Sequence, residues 1–174
     1  MAIADNLVLP ILRALRDCLC AQLHDSPLGS TCRCMIVHNF TLPIMDGCDC
    51  ACDDGQGQGD AWVRLVRLDP DGQLFGVSPQ ACPSGWQASI ELGTYRCVEV
   101  PDDRDILPQS VVDATSEGLL GDMHALIRTV ACCPALRDLS FGVEFYSPVG
   151  PEGGCAGGVL QLRVALPGGP GGCP

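Results

Sequence analysis

Phe141-Gly-Val-Glu-Phe-Tyr146-Ser-Pro-Val-Gly-Pro-Glu152-Gly-Gly-Cys155-Ala-Gly-Gly-Val-Leu160-Gln-Leu-Arg-Val-Ala-Leu166 is the stretch whose reading decides the fold. In its second half Leu160, Leu162, Val164 and Leu166 alternate with Val159, Gln161, Arg163 and Ala165. That period of two turns one apolar row toward a core and a mixed row away from it. Val143 and Phe145 alternate with Glu144 and Tyr146 in the first half. The stretch reads as a β-hairpin. Between its halves, Ser147 to Gly158 holds two prolines and five glycines, a composition that predicts an extended, solvent-facing connection available for contact instead of a two-residue turn.

Upstream of the hairpin, Val112, Leu119, Met123, Ile127 and Val130 recur at helical intervals after Pro108, which suits a first helical position. Pro134 ends this helix. Gly118 and Gly121 cost it about 1 kcal/mol each relative to Ala, so close packing against a sheet is expected there. Before it come three strand readings. Cys34, Ile36 and His38 alternate with Met35, Val37 and Asn39. From Ala61 to Leu68, Trp62, Arg64 and Val66 alternate with Val63, Leu65 and Arg67. Ala88 to Val100 changes phase at Gly93, where a bulge is expected. At the start, Val8, Leu12, Leu15, Leu19 and Leu23 form one helical face over Asn6–Leu23, with Pro10 in the first turn. The fold class is α+β: helix, three strands, helix and a two-stranded hairpin, with the helices packed on a mixed or antiparallel sheet. Residues 1–166 form one domain in this reading, and 167–174 form a Gly/Pro tail.

The chain of 174 residues is long enough for one core and contains no run near the ~20 apolar residues of a membrane span. The first residues lack the basic region of a signal peptide, so synthesis in a cytosol is expected. A net charge of −11 disfavours a basic nucleic-acid groove or an anionic membrane surface. All ten basic residues are Arg, which favours bidentate ion pairs of the kind found at subunit interfaces. Asp53 to Asp60 and Pro101 to Ile106 read as polar loop and exposed acidic segment.

Thirteen cysteines leave at least one free or intermolecular in any disulfide scheme. Cys32, Cys34, Cys48, Cys50 and Cys52 invite a zinc reading, but one intervening residue on a strand separates same-face sulfurs by nearly 7 Å. Disulfides between Cys32 or Cys34 and the Cys48–Cys52 group are the preferred reading, with structural zinc and inert thiols as the alternatives. Cys18 and Cys20, and Cys132 and Cys133, read as small buried apolar side chains. His24, His38 and His124 stand in no nucleophile or metal motif, and Gly55-Gln-Gly57-Gln-Gly59 leads into a strand, so no helix N-terminus faces a phosphate there. The sequence reads as a non-enzyme without cofactor.

Three stretches carry a resemblance: Ala4-Asp-Asn-Leu7 with the helix around Cys18-Leu-Cys20, Ala61-Trp-Val-Arg-Leu-Val66, and Tyr146-Ser-Pro-Val-Gly-Pro-Glu-Gly-Gly-Cys155-Ala-Gly-Gly. Together they resemble the tail terminator proteins of siphophages that infect actinobacteria, and the element order resembles the lambda-type fold of that family. The resemblance implies a virion protein, made in the bacterial cytoplasm, that forms a ring of six copies on the last ring of the major tail tube protein. It would end tube growth and present a surface to the head-to-tail connector, or stopper, protein. DNA would pass through the ring without specific binding, and no membrane is involved. Arg64, Arg67 and Arg163, each on a strand face, are candidates to bridge copies, together with Tyr146 and Glu152 of the hairpin. Another neck protein and a cysteine-rich binding module stabilised by disulfides or zinc are the competing readings.

Overall fold

A computed structural model describes residues 7–37, 48, 51–52, 57–70, 85–101 and 106–167. The chain is α+β. Helix α1 (Val8–His24) is followed by strands β1 (Arg33–Val37), β2 (Asp60–Pro70) and β3 (Gly85–Cys97), helix α2 (Gln109–Cys132), a short 3-10 turn (Pro134–Leu136), and strands β4 (Phe141–Glu152) and β5 (Cys155–Pro167). The five strands form one sheet in the order β1-β2-β3-β5-β4, in which β1 and β2 are parallel and every other pair is antiparallel.

Both helices lie on one face of this sheet. The α1 stripe Val8, Leu12, Leu15, Leu19 and Leu23 is buried along its whole length, as its spacing predicts. It meets Ala61 and Val63 of β2, Ile90 and Leu92 of β3, and Leu160, Leu162 and Val164 of β5. The opposite face carries a smaller cluster of Trp62, Tyr95 and Cys155, with Met35, Val37, Cys48, Val149 and Val159 packed around it. Alternation along each strand thus supplies two apolar layers, a large one under the helices and a small one behind.

The hairpin departs from expectation. Ser147 to Gly158 is not a loop: β4 runs to Glu152, β5 begins at Cys155, and only Gly153 and Gly154 turn the chain. Both have positive φ, +56° and +78°, which a two-residue turn matching the sheet's twist requires. The prolines that suggested a loop are tolerated because β4 is an edge strand. Gly150 (φ +90°) lies within the register shift between Val149 and Glu152. Glycines 157 and 158 belong to β5, where a Cβ would run into Thr94 O and the Tyr146 ring.

Gly93 marks no bulge. It pairs in register with Trp62 and Val159, and the Trp62 ring lies where its Cβ would be. The irregularity is in β2 between Leu65 and Arg67, and it moves Arg67 from the Leu65 face to that of Trp62 and Arg64. Helix α2 also differs. Its buried residues are Gly118, Asp122, Ala125, Leu126, Thr129 and Val130, one position before most of the predicted stripe, so the helix is turned by about 100°. Val112 and Ile127 of that stripe are exposed. Gly118 and Gly121 pack against Leu28 and Pro27 after α1, not against the sheet.

Apart from the pairing of Cys32 with the 48–52 group, the cysteine readings change too. Cys18 joins Cys133, Cys20 joins Cys34, Cys32 joins Cys52 and Cys48 joins Cys155. The helix cysteines are therefore covalent ties to β1 and to the end of α2, whereas Cys132 is a free, exposed thiol. Cys97 is disulfide-bonded as well. Cys50, His38 and Asn39, the segments 53–56, 71–84 and 102–105, and the tail residues 168–174 lie outside the described residues.

Candidate assembly surface

The exposed large apolar side chains among the described residues are Val100, Ile106, Val112, Leu120, Ile127, Phe141, Val143 and Phe145. All follow β3 in the chain. Three lie on α2, at positions 112, 120 and 127, spaced to share one outward stripe. Three lie in the first half of β4, the last strand of the sheet, whose outer edge has no partner strand among the described residues.

Register places these residues. Phe141 and Val143 pair with Val164 and Leu162, so they point to the helix side, while the irregularity between Val143 and Phe145 turns Phe145 to the other face, opposite Gln161. Further along, Tyr146 and Pro148 line, with Val112, Leu119 and Leu120, a groove of about 540 Å³. Tyr146 is half-buried there, and its phenol is held above its usual pKa by burial, with the Asp122 carboxylate adding to the shift.

The orientation of α2 has a polar cause. The Arg96 guanidinium, fully buried at the end of β3, donates from Nε and Nη2 to the two oxygens of Asp122, and from its remaining N–H groups to the carbonyls of Gly29, Ser30 and Gln58. Ser26 Oγ also donates to Asp122, at 2.8 Å. All five guanidinium donors are thereby used. An unpaired buried charge costs several kcal/mol, more than one or two half-exposed Leu or Ile side chains, so Asp122 faces inward and the apolar stripe outward. Sequence reading missed this pair. Its trace is a single Asp on a line of small residues, Gly118, Asp122, Ala125 and Thr129, which suits close packing around a buried polar contact.

The predicted cations are engaged within the chain. Arg64 pairs with the nearly buried Glu91 at 2.8 Å, and Glu91 also accepts from Trp62 Nε1 at 3.0 Å. Arg67 pairs with Asp69 at 2.6 Å and Arg163 with Glu144 at 2.5 Å, both at the surface. Arg64 is thus held within its own chain, while exposed pairs such as the other two contribute at most about 1 kcal/mol and can exchange partners. Glu152 is exposed next to the hairpin turn.

No grouping of three or more potential metal ligands occurs among the described residues. Of the imidazoles, His24 bonds Ser30 Oγ at 2.9 Å and His124 is exposed on α2. No helix of the described residues is long and apolar enough to cross a membrane. Set against protein-family models the chain matches none, and a search of curated proteins finds no relative.

Proposed function

We propose that this chain is a non-catalytic structural virion protein, a tail terminator that assembles with its own copies into a ring on the upper end of the tail tube. The observation that carries the reading is the exposed apolar side chains of α2 and of the edge strand β4, because a cluster of large exposed apolar residues marks a protein contact. The three stretches that resemble the siphophage family support it. So does the net charge: a channel lined by acids repels DNA phosphates and lets the duplex slide past. The tube protein and the head-to-tail connector are the other partners, and the site of function is the neck of the particle. Deleting the gene tests the role, with tails of uncontrolled length that fail to join heads as the expected outcome. Tails of normal length joined to heads overturn it.

The disulfides favour a second reading, a disulfide-stabilised binding module outside a ring, since cross-linking is common in small exported binding domains. Copy number separates the two. A fixed small number of chains per purified particle supports the virion part, and absence from particles supports the module.

A further inference from the structure

The two edges of the sheet differ in charge. Elements α1 and β1 carry Arg13, Arg16 and Arg33 against the single acid Asp17, whereas α2 and β4 carry Asp113, Glu117, Asp122, Glu144 and Glu152 against the single cation Arg128. Pairing inside the chain moderates the contrast without removing it. Arg16 holds Asp17, Arg33 holds Asp60, Asp122 is taken by Arg96 and Glu144 by Arg163. Arg13 on one side, and Asp113, Glu117 and Glu152 with Arg128 on the other, remain at the surface.

The edges also match in direction and in apolar content. Through the order β1-β2-β3-β5-β4, with one parallel and three antiparallel junctions, β1 and β4 run in opposite senses. Copies related by rotation about an axis along the strands therefore bring β4 of one beside β1 of the next in antiparallel pairing, and each face of the sheet continues across the junction. On the helix side, Phe141 and Val143 then meet Cys34, Ile36 and Ile11, which are only partly buried within one chain. On the other side Phe145 meets Met35 and Val37, also partly buried. The first half of β4 has no proline between Phe141 and Ser147 and no lysine, so Glu144 and the irregularity beside it are its protection as an edge.

Size agrees with this. Val112, Leu120, Ile127, Phe141, Val143 and Phe145 are each 40–55% exposed and together present roughly 500 Å² of apolar surface. A stable contact takes about 800 Å² per partner, and the strand backbone and the charged rim supply the difference.

We propose that the acidic, apolar α2/β4 edge of one copy docks on the Arg-bearing α1/β1 edge of a second copy, with Phe141–Tyr146 and Arg33–Val37 forming an antiparallel ladder. The contact is head-to-tail, so it propagates from copy to copy and closes as a ring. It rests on the ring-forming reading above and specifies which surfaces make the ring.

The test uses the oxidised full-length chain and sedimentation velocity, with circular dichroism melting to verify folding. Wild type should form a closed oligomer, and Val143→Glu should give folded monomer. Two charge-reversed chains, one with Arg13→Glu and Arg16→Glu, the other with Asp113→Arg and Glu117→Arg, should each weaken assembly about tenfold or more. Mixed in equal amounts they should assemble again, because in alternation every contact regains opposite charges. A wild-type oligomer that Val143→Glu leaves intact, or a mixture no better than its parts, overturns this contact while leaving the ring reading in place. A wild-type chain that stays monomeric at high concentration overturns both. Rings that form as described but are absent from the neck of particles support the contact and overturn the terminator role.

Discussion

Arg96 and Asp122 meet at 2.6 Å with both side chains withdrawn from solvent, and this pair joins β3 to α2 while the same guanidinium holds the chain on either side of β1. The contact is thus a junction of four segments. It sets which side of α2 remains outside.

Removing half of the pair should be severe. Asp122→Ala is expected to lose about 3–5 kcal/mol in chemical denaturation, because the Arg96 charge stays buried without its counter-ion. The double change Arg96→Met with Asp122→Leu should recover only part of that loss, since the carbonyls of Gly29, Ser30 and Gln58 lose their donors as well. A double variant as stable as wild type would mean that those carbonyls find other donors.

Cysteine substitutions should separate by pairing. Cys48→Ser together with Cys155→Ser opens a loop of 107 residues and is expected to cost about 2–4 kcal/mol, a fall in Tm of roughly 5–15 °C. Cys132→Ser should leave Tm unchanged, because that thiol is free and exposed. Equal Tm values for all these chains under oxidising conditions would refute the pairing.

Glycines in the sheet should respond in opposite ways. Gly93→Ala drives a methyl into the Trp62 ring and should destabilise by about 1–3 kcal/mol, with a change in Trp62 fluorescence. Gly142→Ala meets nothing within 4 Å, and it should be neutral or stabilise β4 by up to about 1 kcal/mol through lost freedom of the unfolded chain.

Tyr95 gives a pH dependence. Its phenol is buried without a hydrogen-bond partner, and burial, with the Glu152 charge adding to it, raises its pKa above 10.0. In the unfolded chain the phenol ionises first, so above about pH 10 the folded state binds more protons and stability falls as pH rises toward the folded pKa. Below pH 10 this contribution is constant. Tyr95→Phe should remove that alkaline loss and cost nothing at neutral pH, which denaturation at a series of pH values would show. A variant with an unaltered alkaline slope would place the loss in other groups.

Period and position made much of this fold readable in the chain. The α1 stripe and the alternation of β2 and β5 are local signals, and tertiary packing reinforces them. Where the reading failed, a distant partner decided. The face of α2 depends on Arg96, some 26 residues upstream, and no local period announces a buried ion pair. Pro148, Pro151 and five glycines suggested a loop because composition does not reveal which strand will be the edge, the one place where such residues fit in a sheet. Cysteine spacing could suggest that Cys32 and the 48–52 group are neighbours, but it could not foresee that Cys48 reaches Cys155 or that helix cysteines find β1 and the end of α2. The middle of the hairpin was expected to be a loop, and the structure pairs it as strand while its first half and one face of α2 keep large apolar side chains exposed.

The disulfides from Cys18 to Cys133 and from Cys48 to Cys155 span the same middle of the chain. A single break in the backbone anywhere between residues 53 and 132 would therefore leave two pieces still fastened at no fewer than two points, one under α1 and one behind the sheet. Each piece would retain its share of the core, and a pull on one terminus would be carried past the break through sulfur. A protein tied in this way tolerates a severed main chain, so a protease that nicks it need not detach either piece.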